Sequence, residues 1–212
     1  MSFQLHQFSV LLHQTPLFAP LDVSLEAGDI ATVMGPSGSG KSTLLAAICG
    51  TLLPAFSSQG QMRLNGHDLA ALPVEARGVG ILFQDDLLFP HLDVYHNLAF
   101  ALPSRLTKGE RRSQIESALT NAGLSGQGKR DVATLSGGQR ARVSLLRTLL
   151  AEPQLILLDE PFAKLDQTLR QNFRDWVFNR IRALGIPALL VTHDPADRPV
   201  DDILLALETP HA

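Results

Sequence analysis

The sequence predicts an α/β fold on a mainly parallel sheet, and three observations predict it. Continuous apolar runs at Ile30–Met34, Val79–Phe83, Leu155–Leu158 and Ala188–Val191 read as strands buried on both faces. Helical patterns separate them: Leu44 to Ile48, Val143 to Leu150, and the stripe Leu169, Phe173, Trp176, Val177, Ile181, Leu184. Three of the runs end in groups with chemistry, at Gly35, at Asp159-Glu160 and at Thr192-His193-Asp194. Ligands of open parallel sheets bind along such strand ends.

From the start of the chain, Phe3, Leu5 and then Phe8, Val10 mark a strand, and Leu21, Val23, Leu25 alternate as another. Gly28-Asp29 turns the chain into the run at Ile30, and the following helix ends at Gly50 with Pro54 beyond it. Met62–Leu64 with Asn65-Gly66 as a hairpin turn predicts further antiparallel sheet on the N-terminal side. Residues 87–135 have a different grammar. Helical patterns at Val94–Leu102 and Lys108–Ala122 are broken by Pro103, Gly109, Gly123, Gly126 and Gly128, with no strand signal. The expectation is one domain: a core of residues 1–86 and 136–212 with antiparallel decoration, and a small helical subdomain inserted at 87–135.

The stretch Gly35-Pro36-Ser37-Gly38-Ser39-Gly40-Lys41-Ser42, followed by Thr43, lies between a strand and a helix. In that context the spacing means a phosphate-binding loop. Its glycines let successive N–H groups face one anion, and the helix start adds its positive dipole end. Lys41 reaches the β- and γ-phosphates, and the Ser42 hydroxyl suits a bridging Mg²⁺. A second helix start follows at Leu135-Ser136-Gly137-Gly138-Gln139, with Ser136 as N-cap. Two glycines in a first turn lower helix stability by about 1 kcal/mol each relative to alanine. They make sense where something approaches the backbone closely, so one chain carries two anion-binding helix mouths. Asp159 is expected to face Mg²⁺ beside Ser42, and Glu160, on the opposite face of the strand end, a water in line with the γ-phosphate. His193 stands on the same catalytic edge.

Composition limits the alternatives. The 212 residues carry a net charge of −3, which supports no nucleic-acid partner. No apolar run approaches the roughly 18 residues of a membrane span and no signal peptide opens the chain, so a soluble, intracellular protein is expected. The single Cys49 excludes an internal disulfide; among apolar neighbours it reads as a packing residue.

Together these residues resemble the ATP-binding-cassette (ABC) ATPase family over nearly the whole chain, and Ile81–Gln84 and Phe89–Leu92 are similar to its bacterial importers. The phosphate loop, Gln84, the Leu135–Gln139 signature, Leu158-Asp159-Glu160-Pro161, Leu165-Asp166 and His193 occur in the family's order. The resemblance implies a RecA-like P-loop NTPase core and an ATPase that uses ATP and Mg²⁺. It implies a head-to-tail dimer in which Ser136 and Gly138 of one copy close on ATP held by Lys41 of the other, with Asp166 in an inter-subunit loop. Gln84 would sense the γ-phosphate and Mg²⁺, joining Ser42 and Asp159 as a metal group, while Glu160 activates water and His193 contacts the γ-phosphate. The helical subdomain would grip an integral-membrane permease on the inner face of the cell membrane, with a solute-binding protein as a further partner.

The chain departs from the family pattern at three places, one of them the short stretch beyond Asp194, with Pro195 and Pro199 close together, where no appended regulatory domain is expected. Leu12 stands where the family stacks an aromatic on adenine, leaving Phe8 or Phe18 as substitutes and no assigned adenine residue. Ala163 replaces a common serine shortly before Asp166. Two rivals differ in class. A soluble ABC ATPase acting on DNA or ribosomes usually carries coiled-coil insertions, tandem cassettes or basic patches. A small-molecule phosphotransferase on a phosphate loop needs neither Ser136–Gln139 nor Glu160 beside Asp159.

Overall fold

A computed structural model describes residues 1–208 apart from Lys164 and Asp166, and only the backbone of Thr168 and Leu169. The Asp166 position predicted from sequence therefore lies outside the described residues. Two compact units make up the chain: Met1–Ile81, Gln154–Glu160 and Phe178–Ala212 form the first, and Leu82–Pro153 with Pro161–Val177 the second.

In the first unit, strand β1 (Phe3–Leu12) anchors an antiparallel sheet with β2 (Thr15–Pro16), β3 (Leu21–Leu25), β5 (Phe56–Leu64) and β6 (His67–Asp68). The apolar positions of β1 change parity between Leu5 and Phe8 because the strand bulges there. Gln7 takes a left-handed φ of 46°, and the register with β5 shifts between His6 and Ser9. The bulge keeps Phe3, Leu5, Phe8 and Val10 all buried. Asn65 and Gly66 both take left-handed φ, as a tight hairpin turn requires. β5 is longer than the predicted Met62–Leu64. After the half-buried Phe56, Ser57, Ser58, Gln59, Gly60 and Gln61 are exposed, so pairing with β1 holds them rather than burial.

The second sheet of this unit has the order β10 (Ile203–Ala206), β4 (Ile30–Met34), β9 (Ala188–Val191), β8 (Leu155–Asp159), β7 (Val79–Leu82). β10, β4, β9 and β8 pair in parallel. Ile156, Leu157, Leu158, Leu189 and Leu190 are fully buried, which fits strands covered on both faces. β10 is a short apolar run, Ile203-Leu204-Leu205-Ala206, that was not predicted; Leu205 is buried while Ile203 and Leu204 are exposed. Helix α1 (Lys41–Cys49) contacts β1 of one sheet and β8 of the other. Its Leu44, Leu45 and Ile48 join one core cluster with residues of both. Arg77 donates to the carbonyls of Ala47 and Ile48 at the end of α1, at 2.9 and 2.8 Å. Cys49 packs against this core, and burial pushes its thiol up to about 11, although Arg77 pulls the other way. It is a packing residue.

The second unit is built on α2 (Val94–Ala101), α3 (Lys108–Asn121) and α4 (Gly137–Leu150). It is larger than the predicted 87–135 insertion and includes α4. The reason is packing: Val143 and Leu146 of α4 share one core with Val94 and Leu98 of α2 and Ile115 and Leu119 of α3. Pro161–Val177 also belongs here, with Phe162 edge-on to Phe173 and Phe173 stacked on Trp176. Helix α5 (Gln167–Leu184) ends at Gly185 as predicted, but Leu184 is 40% exposed and leaves the apolar stripe.

Candidate functional site

Parallel pairing sets the C-terminal ends of β4, β9 and β8 side by side, and each end delivers a predicted residue group. Backbone bonds tie the ends together: Glu160 N–H donates to Val191 O at 3.0 Å and Thr192 N–H to Val33 O at 3.3 Å. From β4 the chain enters the Gly35–Thr43 loop. Gly40 has φ +92°, and a Cβ there would lie 3.1 Å from the Phe18 ring and 3.3 Å from Leu17. At Gly35 a Cβ would lie 2.6 Å from Ser39 Oγ and 3.0 Å from the carbonyl of Leu207, just beyond β10. The loop is thus drawn tight between the antiparallel sheet and the β10 edge, and its path excludes side chains at both glycines. Leu207 was not foreseen as a support of the loop, because nothing in its sequence context links it to Gly35.

Lys41 Nζ turns back over this loop and donates to Gly35 O at 2.8 Å and Pro36 O at 2.9 Å. A groove of about 450 Å³ runs along it, bringing Ser37, Gly38, Lys41, Ser42 and Thr43 together with Glu160. Leu12, Leu17 and Phe56 form the apolar part of the same groove. Leu12 and Phe56 are register partners across β1 and β5. Phe8 and Phe18, weighed from sequence as adenine-stacking residues, are 2% and 0% exposed and belong to the core. Neither can stack on a ligand. The half-buried Phe56 is the aromatic ring that sequence reasoning missed, because its strand lacks an apolar pattern.

Asp159 ends β8. Burial raises its carboxyl above the ordinary carboxylate range, Glu160 adds to the rise, and Lys41 opposes it. A divalent cation would reverse that balance, and one hydroxyl plus one carboxylate beside substrate phosphates is a donor set that suits Mg²⁺. Ser42 and Asp159 fit the metal. Glu160 lies beyond the strand, with a left-handed φ of 46°. The expected alternation of faces along a strand therefore does not describe it; a strained turn aims its side chain. Its Oε1 is 3.1 Å from His193 Nδ1. The contact holds the His193 ring beside the Glu160 carboxylate, with Nδ1 on the carboxylate side. The His193 loop is braced by Thr192 Oγ1, which donates to Asp197 Oδ2 at 2.8 Å and accepts from Asp194 N–H at 3.1 Å.

In the second unit, Ser136 caps α4 in a reciprocal capping box. Ser136 Oγ accepts from Gln139 N–H at 3.3 Å, and Gln139 Oε1 accepts from Ser136 N–H at 3.0 Å. The Ser136 hydroxyl proton and the Gly137 and Gly138 N–H groups have no intrahelical acceptor at a helix start. Leu135 and Gly138 are buried, while Ser136 and Gly137 are exposed. A Cβ at Gly137 would meet nothing nearer than Arg140 Nη2, at 4.0 Å. Gln84 is exposed at the head of an irregular loop in this unit and lines a cavity of about 170 Å³ with Gly137 and Arg140.

The family model described as ABC transporter matches residues 18–163, which includes the Gly35–Thr43 loop, Gln84, Leu135–Gln139 and Asp159-Glu160. Over 197 residues the chain is 50% identical to the uncharacterized ABC transporter ATP-binding protein YnjD of Escherichia coli (strain K12), covering 93% of this chain and 91% of that protein. It is 41% identical to the sulfate/thiosulfate import ATP-binding protein CysA of Gloeobacter violaceus, over 84% of this chain and 52% of that one. The Fe(3+) ions import ATP-binding protein FbpC of Agrobacterium fabrum is likewise 41% identical, over 82% and 49%. The chain spans about half the length of these two import proteins.

Proposed function

We propose, from the premise that this chain belongs to the ABC transporter family, that it energises a small-solute importer by closing on a second copy of itself around ATP. Family membership makes it an ATP-binding ATPase subunit. Importing rather than exporting is supported by its similarity to the import proteins CysA and FbpC. The observation that carries the pairing is Gly137. An exposed glycine in a first turn, with 4.0 Å of open space where a Cβ would be, answers no packing need among the described residues. A ligand that comes to the Ser136, Gly137 and Gly138 donors from outside does answer one.

In this reading Lys41 exchanges its two loop carbonyls for β- and γ-phosphate oxygens, and the Gly38–Thr43 backbone cradles the same anion. Leu12, Leu17 and Phe56 form the wall for the base. Ser42 and Asp159, with Gln84 in the role the resemblance gives it, would hold Mg²⁺, which supplies positive charge to the β- and γ-oxygens. Glu160 accepts a proton from the attacking water while His193 Nδ1–H holds the other end of its carboxylate in place. His193 Nε2 remains free to meet the γ-phosphate. Ser136 and Gly138 of the opposite copy complete each site, giving two equivalent sites about a twofold axis. ATP then favours the closed pair, and hydrolysis releases it.

For the permease, the support is apolar surface in the second unit: Phe83, Leu87 and Phe100 are 43%, 55% and 71% exposed. Phe100 packs edge-on to Phe89, 4.9 Å between centroids, with Arg147 over the opposite ring at 5.2 Å. A helix of a membrane protein is the partner we assign to it, with a solute-binding protein outside. No helix among the described residues is long and apolar enough to cross a membrane. The chain's place is then a peripheral one, against the permease on the inner face of the cell membrane. The test is Glu160→Gln in sedimentation with Mg-free ATP. Dimers that revert to monomers on exchange into ADP are expected; a chain that stays monomeric at high concentration refutes the pairing.

A further inference from the structure

One guanidinium in the second unit touches both of its functional segments. Arg140, one residue past the signature, donates from Nε to Asp86 Oδ2 at 2.8 Å and from Nη1 to Leu135 O at 2.8 Å. Asp86 is two residues beyond Gln84, and Leu135 opens the signature. The next two turns of the same helix face grip the same loop. Ser144 Oγ donates to Asp86 O at 2.8 Å, and Arg147 donates to Leu87 O at 3.0 Å and Asp86 O at 3.3 Å. Asp86 Oδ1 in turn accepts from Leu88 N–H at 3.4 Å. Leu87 sits at φ +46°, a conformation that a leucine keeps only when its surroundings enforce it.

We propose that Arg140, acting through Asp86, is a positioning residue that fixes the Ser136 helix mouth to the Gln84 loop, so that the two move as one piece when ATP brings copies together. The inference rests on the proposed pairing and adds to it. The Leu135 carbonyl directly precedes the N-cap, so holding it sets the direction in which the Ser136 hydroxyl and the glycine N–H groups point. The Asp86 carboxylate holds the other end, and the Ser144 and Arg147 bonds keep the loop from sliding along the helix. Aiming the mouth in advance removes an ordering cost from association. The task needs arginine itself. Nε and Nη1 of one rigid fork present donors in fixed, separate directions to acceptors on two segments, whereas the donors of a lysine ammonium all radiate from one point on a flexible stem.

The experiment uses the full chain in the Glu160→Gln background, with Arg140→Ala, Arg140→Lys, Asp86→Ala and the double variant Arg140→Ala/Asp86→Ala. Three quantities are read: the ATP-driven monomer–dimer constant by sedimentation, the affinity of dilute monomer for a fluorescent ATP analogue, and the melting temperature. Arg140→Ala and Arg140→Lys are both expected to weaken pairing roughly three- to ten-fold, in line with one partly exposed charged contact. Monomer affinity for nucleotide stays within about two-fold, because that site belongs to Lys41. The double variant falls short of the sum of the single effects. Lysine that pairs as well as arginine, strictly additive effects, or unchanged pairing overturns the inference while leaving the dimer intact. A parent that never pairs overturns the proposed function, and the inference with it. If Arg140→Ala melts below the assay temperature, Asp86→Asn reads the same contact and must weaken pairing.

Discussion

Gly137→Ala separates what the fold needs from what the function needs. The new Cβ meets only Arg140 Nη2, at 4.0 Å, an ordinary contact with the tip of a flexible side chain. Gly137 does not occupy the left-handed region, so alanine adopts its backbone without strain. Alanine then gains the usual advantage over glycine in a helix, about 0.5–1 kcal/mol, from a less free unfolded chain and a better helix former. For a chain of this size that corresponds to a rise of roughly 1–4 °C in melting temperature. Steady-state ATPase and ATP-driven pairing of the same variant are expected to fall at least ten-fold, since a methyl group intrudes where a phosphate and the opposite copy approach the backbone. Differential scanning fluorimetry and phosphate release measure the two effects on one sample. A lower melting temperature would mean that the glycine serves internal packing. Unchanged hydrolysis would mean that nothing docks on this turn.

Two further substitutions probe the first unit. Asp159→Asn abolishes hydrolysis but stabilises the free protein at neutral pH. The folded carboxyl holds its proton more tightly than the unfolded one, first through burial and then through Glu160. Its stabilising contribution is therefore complete below the unfolded value of about 4 and is lost as pH rises through the raised folded value, so the advantage of asparagine grows with pH and then levels off. Urea midpoints from about pH 4 to about pH 7 check this, and an asparagine variant less stable at neutral pH contradicts it. Phe56→Ala raises the half-saturating ATP concentration roughly five-fold with kcat retained, from the loss of one stacked ring; an unchanged value removes Phe56 from the base wall.

The sequence made the parallel core legible because its strands are buried on both faces and so read as unbroken apolar runs. Ile30–Met34 and Ala188–Val191 match β4 and β9 to the residue. The two helix mouths were legible for the same kind of reason: glycines and a capping serine sit where only backbone chemistry explains them. What escaped was set by partners distant in sequence. Most of β5 is polar and exists because β1 pairs with it. β10 is a different case: Ile203–Ala206 is an apolar run that was passed over, and it pairs with β4. Phe56 became visible as a groove-lining ring only through its register with Leu12. The left-handed turn at Glu160 and its contact with His193 carry no sequence signal, since neither residue type announces its backbone angle. Asp86 has no signal of its own in the sequence, because its partners Arg140, Ser144 and Arg147 lie more than fifty residues further along the chain.

The most direct measurement is a crystal structure of the Glu160→Gln chain with ATP. It is expected to show two copies head to tail, with the γ-phosphate of the nucleotide on Lys41 of one within hydrogen-bond distance of Ser136 Oγ and Gly138 N of the other. ATP bound at Lys41 while Ser136 and Gly137 face only solvent or their own chain would contradict the account.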